Sequence, residues 1–180
     1  MNHAQNVEDR IMKKRLEHRL KGCYMPEYLI DILTVGYSDT FLPMSIFKEG
    51  DAYTFSYDEG ALRRIDYRKM NGIQKLKLVK SLIEIADKNN DFLIPDGGYA
   101  INTNTIYGFE DSAEYGRIKL MYYPDIKCVP FWSKLSLLIN DIFRNGDSSE
   151  TEIASGLINA VETQDINRVN RFIEKRMLQS

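Results

Sequence analysis

Between Ile73 and Lys88 the apolar residues Leu76, Leu78, Val79, Leu82, Ile83, Ile85 and Ala86 fall on one broad arc of a helix, at about 100° per residue. Lys77, Lys80, Ser81, Glu84, Asp87 and Lys88 fill the narrow remainder. A helix with so little polar surface must be covered on most sides, so the fold has to be built around it. Asn71 stands where an N-cap is needed, because its side-chain oxygen can accept from the free amides of the first turn.

The chain on either side changes period. Phe41 to Phe47 and Ala52 to Tyr57 alternate as strands joined at Glu49-Gly50-Asp51, a hairpin turn. Tyr53, Phe55 and Tyr57 give the second strand an aromatic face, and Ala52, Thr54 and Ser56 a small, polar one. After the central helix, a second pair of strands ends near Phe109 and restarts near Gly116, with Ile118, Leu120 and Tyr122 alternating with Lys119, Met121 and Tyr123 as a half-buried strand. Helices are expected from Pro26 to Val35 with Gly36 as the stop, from about Pro130 to Asn145-Gly146, after a Ser149-x-x-Glu152 capping box, and through Ile166, Val169, Phe172, Ile173 and Met177. The order predicts an α+β fold of two β-hairpins around a central helix, with a helical C-terminal part.

A chain of 180 residues is long enough for one domain with a real core. The predicted organisation is a basic N-terminal helical segment over 1–24 and a single α+β domain over 25–180. In the first segment Arg10, Lys13, Lys14, Arg15, Arg19 and Lys21 accompany Met12, Leu16 and Leu20 at i+4 spacing. A helix of that pattern either rests on the domain by its few apolar residues or lies on an anionic membrane or on nucleic acid, which keeps a membrane- or nucleic-acid-associated module acting through residues 10–21 open as an alternative. The formal net charge of -2 and pI of about 5.8 argue against a nucleic-acid reader, whose affinity comes from phosphate neutralisation. No apolar run approaches the roughly 18 residues needed to cross a bilayer, so the expectation is a soluble, cytoplasmic protein.

Chemistry-bearing patterns are sparse. Cys23 and Cys128 stand alone, and His3 and His18 are the only histidines, so no zinc site and no metal is expected. The two cysteines are expected as reduced thiols. Phosphate cradles, nucleophile elbows and zinc-protease pairs have no match in the sequence. Glu110, Asp111 and Glu114 mark a solvated hairpin tip rather than a calcium loop. Tyrosine is abundant at 11 residues, with Tyr99, Tyr107, Tyr115, Tyr122 and Tyr123 gathered in the second hairpin. Tyrosine suits both half-buried strands and contact surfaces.

The helix-to-hairpin order over Leu76–Pro124 resembles the protein kinase fold. More closely, the stretches "FLPMSIFKEGDAYTFSYD", "NGIQKLKLVKSLIEIADKNNDFLI" and "NTIYGFED…GRIKLMYYPD" resemble an uncharacterised domain of Gram-positive bacteria that usually precedes a forkhead-associated phosphopeptide-binding domain. That domain is itself similar to the pseudokinase-like cytosolic domain of a membrane subunit of the type VII secretion machinery. The resemblance covers residues 26–180. It departs from the family at Tyr57-Asp58-Glu59-Gly60 and in the basic N-terminal segment, and the 180 residues do not themselves include a forkhead-associated domain.

The resemblance implies a kinase-like arrangement, which can be tested against the parts that phosphoryl transfer needs. The first hairpin holds no Gly-rich lid, and its second strand carries Tyr53, Phe55 and Tyr57 where a lysine is required. The catalytic-loop slot reads Ile94-Pro95-Asp96-Gly97-Gly98, and the metal slot reads Tyr122-Tyr123-Pro124-Asp125, with no glycine following. Asp96 is expected to form a turn, and Asn102 stands only nominally where a magnesium ligand would. The sequence therefore predicts no catalytic residues, no cofactor, and a scaffold or sensor domain that binds another protein or another domain of a longer chain. Tyr107, Tyr122 and Tyr123 are the expected contact surface, with Arg10, Lys13, Lys14, Arg15 and Arg19 as its basic counterpart. A degenerate nucleotide site stays open as an alternative, with Lys48 as its one candidate lysine.

Overall fold

The computed structural model describes residues 15–109, 118–124 and 127–179. The elements run β1 (Arg15–Lys21), α1 (Glu27–Val35), β2 (Met44–Glu49), β3 (Ala52–Asp58), β4 (Leu62–Arg64), α2 (Gly72–Asn90), β5 (Tyr99–Ala100), β6 (Ile106–Phe109), β7 (Lys119–Tyr122), α3 (Phe131–Phe143), α4 (Ser148–Val161) and α5 (Ile166–Leu178). The α+β class follows directly. Among the described residues, no helix is long and apolar enough to cross a membrane.

α2 is the helix that the apolar arc demands. Asn71 caps it by accepting from the Gln74 amide at 2.9 Å, and the Gln74 side chain returns the bond to the Asn71 amide at 2.9 Å. This reciprocal pair satisfies two amides that a bare helix end would leave open. Leu76, Leu78, Val79, Leu82 and Ile83 are buried, whereas Lys77, Glu84 and Lys88 are exposed. α3 and α5 pack against α2, and α4 joins those two. At the α2 C-terminal end, buried Asn89 accepts from Ser38 and Thr40 through one side-chain oxygen, at 2.9 Å each, which ties the approach to β2 onto the helix.

Two antiparallel sheets sit beside this helical layer. The first has the order β1-β3-β2, with the β2–β3 hairpin closing at Glu49↔Ala52 around Gly50 at φ +61. The second has the order β4-β6-β7-β5. A parallel bridge of Phe41 to Leu120 stitches the chain entering the first hairpin to the second sheet.

Three expectations are corrected. The N-terminal segment is not helical where it is described. Residues 15–21 form β1 and pair with β3 from Arg15↔Asp58 to Lys21↔Ala52, so this stretch belongs to the domain's first sheet. Leu16 and Leu20 share a face at i+4 in a strand as they do in a helix, and the added long-range pairing decides between the two. Second, α4 is capped by Asp147, which accepts from the Glu150 amide at 2.8 Å, and the helix begins before the Ser149 capping box. Third, Tyr107 and Tyr122 are 0% and 2% exposed, because β6 and β7 are central strands of a sheet covered on both faces. Those two side chains build the core and offer no contact surface.

Candidate functional site

The aromatic strand faces meet between the two sheets. Tyr57 on β3 donates to the Tyr122 carbonyl on β7 at 2.6 Å. Phe55 lies 5.4 Å from the Tyr123 ring and Phe41 lies 5.5 Å from Tyr122, both edge-on. Burial pushes the hydroxyls of Tyr57 and Tyr122 well above the usual tyrosine range, since a phenolate there would lose its hydration. Tyr107 is likewise raised, first by burial. Its hydroxyl donates to Glu59 at 3.0 Å and accepts from Arg64 Nε at 3.2 Å. The space between the hairpins is packed with rings.

The positions compared with a kinase have structural occupations. Lys48 is exposed on the edge strand β2, its ammonium 5.6 Å above the Tyr53 ring. Asp96 begins a one-turn 3-10 helix, and its carboxylate accepts the Phe131 amide at 3.2 Å, capping α3. Asn102 accepts from the Asn104 amide at 2.9 Å within its own turn. Asp125 and the acidic tip residues Glu110, Asp111 and Glu114 lie outside the described residues, as do Tyr115, Arg10, Lys13 and Lys14. Arg15 opens β1. Arg19 is exposed and paired with Glu49 at 3.0 Å on the outer face of the first sheet. Cys23 is half-buried and Cys128 exposed, both with free thiols. Among the described residues no three His, Cys, Asp or Glu side chains gather to hold a metal ion.

Besides a hollow of about 500 Å³ beside α2, lined by Asp39, Lys88 and Lys119, the described residues leave a groove alongside β1. It consists of two adjoining hollows of about 470 and 330 Å³ that share Ala100, Asn102 and Tyr123. Leu16, His18 and Arg64 line one. Leu20 lines the other, with Lys127 and Lys134. Lys134 is anchored there, donating to the carbonyls of Gly97 at 2.7 Å and Tyr99 at 3.1 Å. Tyr123 divides the two hollows. Its ring lies 5.5 Å from His18 and its hydroxyl donates to the Arg19 carbonyl at 3.4 Å. Of the three tyrosines expected at a surface, Tyr123 alone is partly exposed.

Sequence reasoning missed this groove. The signal was the alternation of Leu16, His18 and Leu20 with Glu17, Arg19 and Lys21, a period of two that marks a half-buried strand. Compared with known proteins, the chain matches no protein-family model and no curated sequence.

Proposed function

We propose that this chain is a non-catalytic, pseudokinase-like interaction domain, a scaffold or sensor module of a bacterial signalling or secretion assembly. The observation that carries this is the aromatic packing of Tyr57, Phe55, Tyr122 and Tyr123 between the hairpins, where a kinase-like arrangement would hold a nucleotide. Lys48, the candidate phosphate lysine, points to solvent at the sheet edge. Asp96 is committed to a helix cap. The resemblance of residues 26–180 to the domain that precedes forkhead-associated modules supports a role in binding another protein or domain. Fold-level likeness alone never fixes function, so the weight rests on these residues.

A thermal-shift titration with ATP, ADP and GTP in the presence of Mg²⁺ tests it. A nucleotide at a hundred times its Kd would add about 2.7 kcal/mol and raise Tm by several degrees. The expected result is no shift at millimolar nucleotide. A saturable rise would overturn the non-catalytic function in favour of a degenerate nucleotide sensor.

A further inference from the structure

The hydrogen-bond register shows which backbone groups of β1 are open. The Gly22 amide donates to the Asp51 carbonyl at 3.2 Å, which makes Gly22 and Asp51 a bonded pair just beyond Lys21↔Ala52. Antiparallel pairs alternate between bonded and non-bonded. Leu20, His18 and Leu16 therefore turn their amides and carbonyls toward β3, and Glu17, Arg19 and Lys21 turn theirs outward. The Tyr123 hydroxyl on the Arg19 carbonyl is the contact that this alternation requires. β1 is the edge of its sheet, and seven residues present a track about 23 Å long.

The same edge borders the groove. Leu16, His18 and Leu20 supply one wall, and Ala100 and Asn102 supply the facing one. Besides His18 and the tyrosines Tyr99 and Tyr123, the ionisable lining residues among those described are cationic: Arg64 at the Leu16 end, with Glu59 behind it through the Tyr107 hydroxyl, and Lys127 and Lys134 at the Leu20 end. A sheet edge with no strand on it among the described residues, held there only by the long Tyr123 bond that an incoming amide would replace, beside a hollow that can take alternate side chains, is the geometry of strand addition.

Resting on the interaction-domain function proposed above, we propose that this groove takes an acidic, extended peptide segment of a protein partner as an added strand on β1. The segment's main chain bonds to Glu17, Arg19 and Lys21. Its inward side chains fill the two hollows on either side of Tyr123, and its carboxylates meet Arg64 at one end and the two lysines at the other.

The probe is an array of octapeptides with Asp or Glu at every second position and varied apolar residues between, read by fluorescence anisotropy against the full chain. A second array carries Lys at the same positions. Acidic peptides should bind saturably and weaken with added salt. Lys127→Glu or Arg64→Gln should cost roughly tenfold or more in affinity. N-methylation of the peptide's alternate amides should abolish binding. Arg19→Pro should do the same while the sheet stays folded, because the lost amide faces away from β3. Hydrogen exchange should show new protection at Glu17, Arg19 and Lys21 on binding. Equal binding of the Lys array, indifference to N-methylation, or no binder in either array would overturn the proposal. Protection at Met44, Ile46 and Lys48 on β2 would overturn the β1 site and leave the interaction domain standing, whereas a nucleotide-dependent Tm rise would undo that function itself.

Discussion

The Tyr57 hydroxyl sits 2.6 Å from the Tyr122 carbonyl and joins the first sheet to the second across the aromatic layer. Both residues are buried, so neither group has water to fall back on. Tyr57→Phe should leave the carbonyl without this partner and cost about 1–3 kcal/mol. Tyr123→Phe removes only a long bond at 3.4 Å on a partly exposed side chain, and should stay within about 0.5 kcal/mol. Urea titrations of the two variants measure the contrast. Equal effects would mean that the sheets are held by ring packing alone.

A second constraint on the same layer comes from Gly98. A Cβ placed there would stand 2.2 Å from the Tyr122 ring. Gly98→Ala should therefore force the ring aside and cost about 1–3 kcal/mol or more. At Gly97 the nearest atom to an added Cβ is 3.9 Å away, and alanine should be tolerated. Shrinking the obstacle in the double variant Gly98→Ala/Tyr122→Leu should cost less than the two single changes together, a coupling read from chemical denaturation.

These residues also show where the sequence was legible. The central helix was, because its apolar arc admits one environment and Asn71 with Gln74 forms a local signal that needs no tertiary knowledge. The first hairpin was legible for the same reason, with its turn residues at Glu49-Gly50-Asp51. Tyr122 was not. Alternation along Ile118–Tyr123 suggested one wet face, but Leu120, Met121 and Tyr122 are all buried, since the first sheet closes over the second. Coverage of a strand's second face depends on residues far away in sequence. The Leu16–Leu20 spacing failed in a different way, because i+4 fits both periods and only pairing with β3 separates them. The groove depends on both of these, so no single segment could announce it.

Helix packing offers a third test. Lys75 on α2 and Glu150 on α4 form an ion pair at 2.7 Å, with side chains only 8% and 18% exposed. The ammonium also lies 5.1 Å from the centre of the Phe143 ring. A charge stripped of its partner in so dry a place is costly, whereas an apolar pair of similar size is not. Glu150→Gln should destabilise by about 3–5 kcal/mol. Lys75→Met/Glu150→Leu should recover most of that loss. Thermal unfolding of the three variants separates a stabilising pair from one that chiefly fixes how α2 meets α4.

Alkaline pH should unfold the domain through its buried phenols. Tyr57, Tyr99, Tyr107 and Tyr122 are all raised above the ordinary value of 10.0, each first by burial, and Tyr99 is pushed up to about 12. Below pH 10 both folded and unfolded chains keep these protons, and the full stability is present. Above it, the unfolded chain releases protons that the folded chain retains, so stability falls as pH rises. The slope is about 1.4 kcal/mol per pH unit for each such group. Tyr57, Tyr99 and Tyr122 acting together give a slope on the order of 4 kcal/mol per unit, to which Tyr107 adds in the same direction, and over two pH units this is comparable with the whole stability of an ordinary domain. Tyrosinate absorbance and near-UV circular dichroism should therefore change together in one steep transition between pH 10 and 12. Tyr99→Phe should make that transition shallower, because one raised phenol is gone. Gradual titration of the tyrosines with the near-UV signal intact would show that the aromatic layer admits water, and would weaken the case that it closes the space between the hairpins to a nucleotide.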